Sequence, residues 1–253
     1  MAYDPASLDA PFAALKSYDW GGDAKAFQPL DDAVVAAHAD AGLRTALETR
    51  FAALLGEGTS RAAKEYICRK LSLLGTAASV PALAALLPQQ DHSHMARFAL
   101  ERIGAPEAAA ALRQAAETVA GDLKIGMVSS LAGKGDTAAV PLLAGMLQAG
   151  TPQADRRLAV AAADALGRLA TPEAAQALAA AAGASDPGIA AAIVDARLAC
   201  AESLLQQGKR AEALALYKAL ETTTAGGNSP AAKNAAVAVT RGILACLDTS
   251  SPA

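Results

Sequence analysis

Only a few residues in this 253-residue chain are of types that do chemistry, and their spacing limits what each could do. Asp91, His92 and His94 form the densest cluster. A His-x-His pair on a loop can bring two imidazoles to one ion, but a metal site normally takes about three or four ligands. No second Cys, His or Glu cluster stands elsewhere to complete one. The cluster therefore reads as a helix start, capped by Ser93 or Asp91 and flanked by two solvated histidines, and no metal or other cofactor is expected. His38 is isolated. Cys68, Cys200 and Cys246 are far apart and odd in number, which suits neither a disulfide framework nor a zinc site, so they read as buried free thiols. Gly133-Lys134-Gly135-Asp136 lacks the Gly-x4-Gly-Lys-Ser/Thr spacing that cradles phosphate. No Gly-x-Ser-x-Gly turn and no Cys-His arrangement is present. The residues predict no enzyme.

The charged and aromatic residues point instead to contact surfaces. Lys and Arg number 22 against 25 Asp and Glu, a net charge of −3, which lacks the cationic surplus a nucleic-acid groove needs. Residues 1–60 carry nine acids and four bases, so the amino-terminal region is acidic and the body is nearly neutral. Arg61, Lys64, Arg97, Lys124, Arg156 and Arg157 fall near helix starts or on helix faces. If neighbouring repeats align Arg97, Lys124 and Arg156/Arg157 on one edge, they form a ladder for an acidic partner. Trp20, with Tyr18 and Phe27, reads as an interface anchor or as the seal of the first hairpin, since Trp and Tyr are enriched at binding hot spots. The candidate partner-binding residues are Trp20, Arg97, Lys124, Arg156 and Arg157.

The elements that must position these residues are helices. Hydrophobic residues make up 53% of the chain and aromatics 4%, and 70 of the 253 residues are alanine, the best helix former. Strand-favouring residues are sparse by comparison. Four segments repeat one plan of helix, glycine stop, turn and second helix: Leu74-Gly75 before Val80-Pro81, Ile103-Gly104 before Pro106-Glu107, Leu131-Ala132-Gly133 before Val140-Pro141, and Leu166-Gly167 before Pro172-Glu173. Glycine at a helix stop is expected to take the left-handed conformation. Thr171 is expected to cap the helix that Pro172 opens.

These segments resemble HEAT repeats, and within them the alanine-rich bacterial subtype related to phycobilin-lyase HEAT-like repeats. The resemblance covers residues 60–185. Tyr18-Asp19-Trp20-Gly21-Gly22-Asp23 resembles the start of a HEAT-containing family of planctomycete- and verrucomicrobia-type bacteria. It implies an all-α fold, a right-handed α-solenoid of stacked antiparallel helical hairpins. Residues 1–60 are expected to form a helical cap and 61–185 the repeats. Residues 186–253 read as a drifted hairpin, similar in Gly208-Lys209-Arg210-Ala211-Glu212-Ala213 to a tetratricopeptide unit, followed by a last helix over Pro230–Leu247. Thr222–Ser229 is expected to be a flexible connection and Asp248–Ala253 a frayed tail.

Function follows by elimination. The deoxyhypusine hydroxylase type of HEAT enzyme binds two irons through His-Glu dipeptides, and no histidine here precedes a glutamate. The alkyl-base glycosylase type needs a basic, aromatic DNA groove. The expectation is a non-catalytic scaffold that binds a protein or peptide through its concave face or repeat edge. Two alternatives stand beside it, a tetrapyrrole- or small-molecule-handling protein of the phycobilin-lyase type and a structural segment of a longer chain. No run of about 18 strongly apolar residues predicts a membrane span. Met1–Ala10 has two acids and no basic start, so the chain reads as cytoplasmic, or as exported if a leader has been removed.

Overall fold

A computed structural model describes residues 5–56, 58–148, 153–224 and 229–248. Among these the chain is all-α, with fourteen α-helices and short 3-10 turns, and it divides into two compact units, Met1–Ser130 and Leu131–Ala253. The first unit contains α1 (Asp9–Ser17), α2 (Gln28–Ala36), α3 (Ala41–Ala53), α4 (Arg61–Leu74), α5 (Val80–Ala84), α6 (Ser93–Arg102), α7 (Pro106–Thr118) and most of α8 (Gly121–Lys134). The second contains α9 (Val140–Gln148), α10 (Gln153–Leu169), α11 (Pro172–Ala180), α12 (Pro187–Gln206), α13 (Arg210–Thr224) and α14 (Pro230–Leu247).

Each unit is a set of stacked helical hairpins of the HEAT-like kind. In the first, α3 packs on α4, α4 on α6, and α5 on α7. In the second, α10 packs along α9 and α12, and α12–α14 form a compact trio. The three-residue turn Gln207-Gly208-Lys209 makes α12 and α13 antiparallel, with Gly208 at φ +76°. The amphipathic stripes are short and rich in small residues. In α4 the buried residues are Ala62, Ala63, Lys64, Ile67, Cys68, Leu71 and Leu74, and the series Ala63, Ile67, Leu71 and Leu74 runs at spacings of three or four residues. Cys68, Cys200 and Cys246 are all buried free thiols, and burial pushes the Cys68 thiol up to about 12. No helix among the described residues is long and apolar enough to cross a membrane. The expected flexible connection falls partly outside the described residues, at 225–228, and Thr222–Thr224 belong to α13; of the expected tail only Asp248 is described.

The glycine stops work differently from the sequence expectation. Gly75 ends α4 in an extended conformation, φ −63° and ψ 147°, and Gly167 lies inside α10. Neither they nor Gly104 adopts positive φ. At Gly75 the end of α4 is satisfied from outside, because Arg44 Nε of α3 donates to the Leu74 carbonyl at 2.8 Å. The buried Glu48 carboxylate accepts from the Thr76 N–H at 2.5 Å and the Ser79 N–H at 3.1 Å, fixing the turn that follows. Glycine is needed there for space: a Cβ on Gly75 would lie 2.5 Å from the Leu71 carbonyl oxygen. Gly167 has the same role between helices, since a Cβ would lie 2.7 Å from the carbonyl oxygen and 2.8 Å from the Cα of Ala196 on α12. The caps follow the sequence more closely. Thr171 accepts from the Ala174 N–H, and Asp186 caps α12 through Gly188 and Ile189.

Two glycine-to-alanine substitutions in the second unit should therefore have opposite signs. Gly167→Ala forces a methyl into backbone atoms and should destabilise by about 1–3 kcal/mol. Gly145→Ala, in α9 with nothing within 4 Å of its Cβ position, should stabilise by about 0.5–1 kcal/mol. Urea denaturation of both variants measures the difference, and equal signs would contradict the close approach of α10 and α12.

Candidate functional site

The segment joining α1 to α2, residues 18–27, brings the aromatic residues of the first unit together. Gly21 at φ +84° turns the chain, the Trp20 N–H donates to Asp19 Oδ1 at 2.8 Å, and Asp23 caps the 3-10 turn Ala24–Phe27. Ser60, the N-cap of α4, donates its hydroxyl to the Tyr18 carbonyl and ties the segment to that helix. The Tyr18 and Phe27 rings meet edge-on at 4.8 Å, and Phe27 meets Tyr66 of α4 in the same way at 5.0 Å. The Tyr66 hydroxyl donates to Asp31 of α2 at 2.6 Å. Lys70 pairs with the same carboxylate at 2.6 Å while its ammonium lies 4.8 Å from the centre of the Tyr66 ring. Burial, then the hydrogen bond and charge of Asp31, push the Tyr66 hydroxyl well above the usual phenol range, so it is a fixed donor.

Two adjoining clefts flank α4. The first, about 340 Å³, is walled by Tyr18, Trp20, Phe27 and Tyr66 and also lined by Lys25, Gln28 and Arg69. Trp20 is 64% exposed, so it does not seal the hairpin. The second, about 290 Å³, lies between α4 and α6 and is lined by Arg61, Glu65, Arg69, Asp91, His94 and Phe98. Glu65 and Arg69 belong to both. Arg61, Glu65 and Arg69 stand four residues apart and share one face of α4. Glu65 pairs with Arg69, and Arg61 lies 3.8 Å from Asp91.

The Asp91-His92-Ser93-His94 cluster is not the capped helix start expected. His92 is the N-cap of α6 with no side-chain cap bond, and Ser93 is the first helical residue, its hydroxyl buried without a hydrogen-bond partner. Among the described residues no group of three or more His, Cys, Asp or Glu side chains is placed to hold a metal. Burial lowers the His92 pKa, Lys64 and Arg61 lower it further, and Asp91 opposes them.

Of the partner-binding candidates, Trp20 alone lines a described cleft. Arg97 is half-buried, donating from Nη1 to the Gly126 carbonyl and to Ser130 Oγ, both at 3.1 Å, while Ser130 donates to Glu101 at 2.6 Å. Burial lowers the Arg97 pKa and Glu101 opposes the shift. Lys124 is partly buried on α8. Arg156 pairs with Asp186 at 3.2 Å, against Gly188, and Arg157 is exposed. Arg97 and Lys124 belong to the first unit, Arg156 and Arg157 to the second. Tyr66, Asp31 and Arg69 escaped the sequence reading. The available signals were the aromatic residue inside an otherwise alanine- and leucine-lined stripe and the Arg-x3-Glu-x3-Arg spacing around it.

No protein-family model and no curated protein matches the chain. A solved structure of human deoxyhypusine hydroxylase in complex with glycerol is similar over 95% of this chain and 96% of that chain, at 16% identity and a TM-score of 0.36. The expectation of a non-catalytic scaffold is corrected on this finding: the similar structure is an enzyme's, and stacked helical hairpins do not by themselves set catalysis aside.

The environment of His92 is open to direct measurement. Its imidazole should titrate below the ordinary value of 6.5 in proton-detected NMR, and Lys64→Met should move the midpoint upward. With the folded pKa lowered, the unfolded chain binds more protons just below pH 6.5, so this histidine's contribution to stability is lost as pH falls through that range. A midpoint above 6.5 would contradict the placement of Lys64 and Arg61 beside it.

Proposed function

We propose that the chain recognises a small molecule, and that a flat, largely apolar ligand occupies the aromatic cleft between residues 18–31 and α4. The observation that carries this reading is Trp20, a large indole left 64% exposed beside a cleft of about 340 Å³ whose other walls are Tyr18, Phe27 and Tyr66. Ligand pockets are concave and mostly apolar, with a few polar groups that fix orientation, and this cleft supplies Gln28, Lys25 and Arg69. Its floor is held before any ligand arrives, by the Tyr66–Asp31–Lys70 contacts and the ring contacts of Phe27. Preorganisation of that kind reduces the ordering cost of binding. The Trp20 ring, 64% exposed and with the residue's hydrogen bond to Asp19 made by the backbone N–H, has room to turn its face onto a flat guest.

N-phenyl-1-naphthylamine, an uncharged dye of two aromatic ring systems that brightens in apolar surroundings, is a suitable probe. A molecule of its size should bind with a Kd on the order of 0.1 mM or tighter. Direct excitation of the dye should show enhanced emission with the wild-type protein and lose most of it with Trp20→Ala at unchanged helicity. Because Trp20 is the one tryptophan in the chain, indole excitation should also report energy transfer to the bound dye. Absence of enhancement, or equal enhancement in Trp20→Ala, would overturn the assignment.

A further inference from the structure

The second cleft shows what the ligand carries besides its flat body. It opens on the outer face of α4, where Arg61, Glu65 and Arg69 lie in line over about 12 Å of helix. One carboxylate stands between two guanidinium groups. Glu65 is the less exposed member of its pair, at 25% against 63% for Arg69, and it is engaged by Arg69. Arg61, 59% exposed, pairs with Asp91 at 3.8 Å, beyond hydrogen-bonding distance. A guanidinium presents five N–H donors in a planar fork, so a single contact leaves most of its donors for other acceptors. In the first cleft the other acid, Asp31, is already matched by Lys70 and the Tyr66 hydroxyl, while Lys25 is exposed. The carboxylates of Asp31 and Glu65 are thus occupied, Asp91 stands exposed at the far edge of the second cleft, and the two arginines hold donors in reserve between them. His94 and the ring of Phe98 complete the wall opposite Arg61.

We propose that the ligand bears an anionic group, a carboxylate, phosphate or sulfonate, which docks between Arg61 and Arg69 in the second cleft while the flat body stacks against Trp20 in the first. Arg69 lines both clefts, so it is the residue at which the two parts of the ligand meet. This rests on the aromatic-cleft reading and adds the chemical class of the ligand to it.

The test compares two dyes that share their ring systems, uncharged N-phenyl-1-naphthylamine and 8-anilino-1-naphthalenesulfonate, on the full chain at low and at 0.5 M salt. The sulfonate should bind more tightly than the neutral dye, and the preference should shrink at high salt. Arg61→Gln should weaken the sulfonate about two- to fivefold and leave the neutral dye within twofold, and Arg69→Gln should weaken the sulfonate by a similar factor. Both side chains are largely exposed, so the fold tolerates either change, and circular dichroism checks this. Binding of both dyes with equal affinity, or a sulfonate preference that survives both substitutions, overturns the anionic-group inference and leaves the aromatic cleft standing. Binding of neither dye overturns both.

Discussion

Alanine at the helix interfaces sets how closely the backbones lie, and that spacing decides where a cleft can form. In the second unit α10 buries Ala159, Ala162, Ala163 and Ala165, and at Gly167 its backbone meets that of Ala196 on α12. Small side chains leave little between such helices, and contact at this distance admits no added methyl without displacement. The cleft described in this unit lies at the α11–α12 connection, lined by Leu147, Ala181, Gly183, Asp186 and Ile189, with no aromatic wall. The first unit is different because its bulk is concentrated. Of the nine aromatic residues in the chain, seven fall within the first 66. Rings packed edge to face cannot approach as alanines do, and the space they enforce beside α4 is the aromatic cleft.

A second consequence of short, stacked helices is a surplus of helix ends. Each end leaves backbone groups that its own helix cannot satisfy. This chain meets many of them with charged side chains from neighbouring elements. Arg44 takes the Leu74 carbonyl, and Glu48 takes the Thr76 and Ser79 N–H groups. Asp186 takes two N–H groups at the start of α12 and is held in turn by Arg156. Arg97 does the same within a helix face, reaching the Gly126 carbonyl where the absent side chain leaves room. A charge drawn into such a contact is partly desolvated and depends on its partner. Arg97 and Arg156 are therefore committed within their units, and the charge left over for recognition collects on the outer face of α4.

The helices were largely legible, and the reason is local. Alanine content, proline at first turns and caps such as Thr171 act within a few residues, so α11 begins at Pro172 and α14 at Pro230, where the sequence places them. The glycine stops were misread, because Gly167 lies inside α10 and the carbonyl at the end of α4 is met by Arg44, thirty positions away in sequence. The site was harder to read for the same reason. Trp20 was visible as the chain's one tryptophan, but its neighbours Asp31, Tyr66 and Arg69 come from α2 and α4, and only the fold brings them together. Arg97 looked like a surface cation because sequence records the charge and not the glycine carbonyl 29 residues on that accepts from it.

The location of the site follows from the join between unlike elements. Where hairpin stacks on similar hairpin, each helix face meets a partner of nearly its own shape, and the surface between them closes. Residues 18–27 are not a hairpin: they are a glycine turn and a 3-10 turn carrying three aromatic side chains, laid against a helix whose inner stripe is built of alanine and leucine. The two surfaces touch where Ser60 holds Tyr18 and where the Phe27 ring meets Tyr66, and the cleft opens beside those contacts. The gap is bounded by rings because rings made it, and Arg69, paired with Glu65 on α4, stands at its rim where the second cleft begins. The proposed site thus sits at the mismatch between an aromatic segment and an alanine-spaced stack, on residues that neither part would hold in place alone.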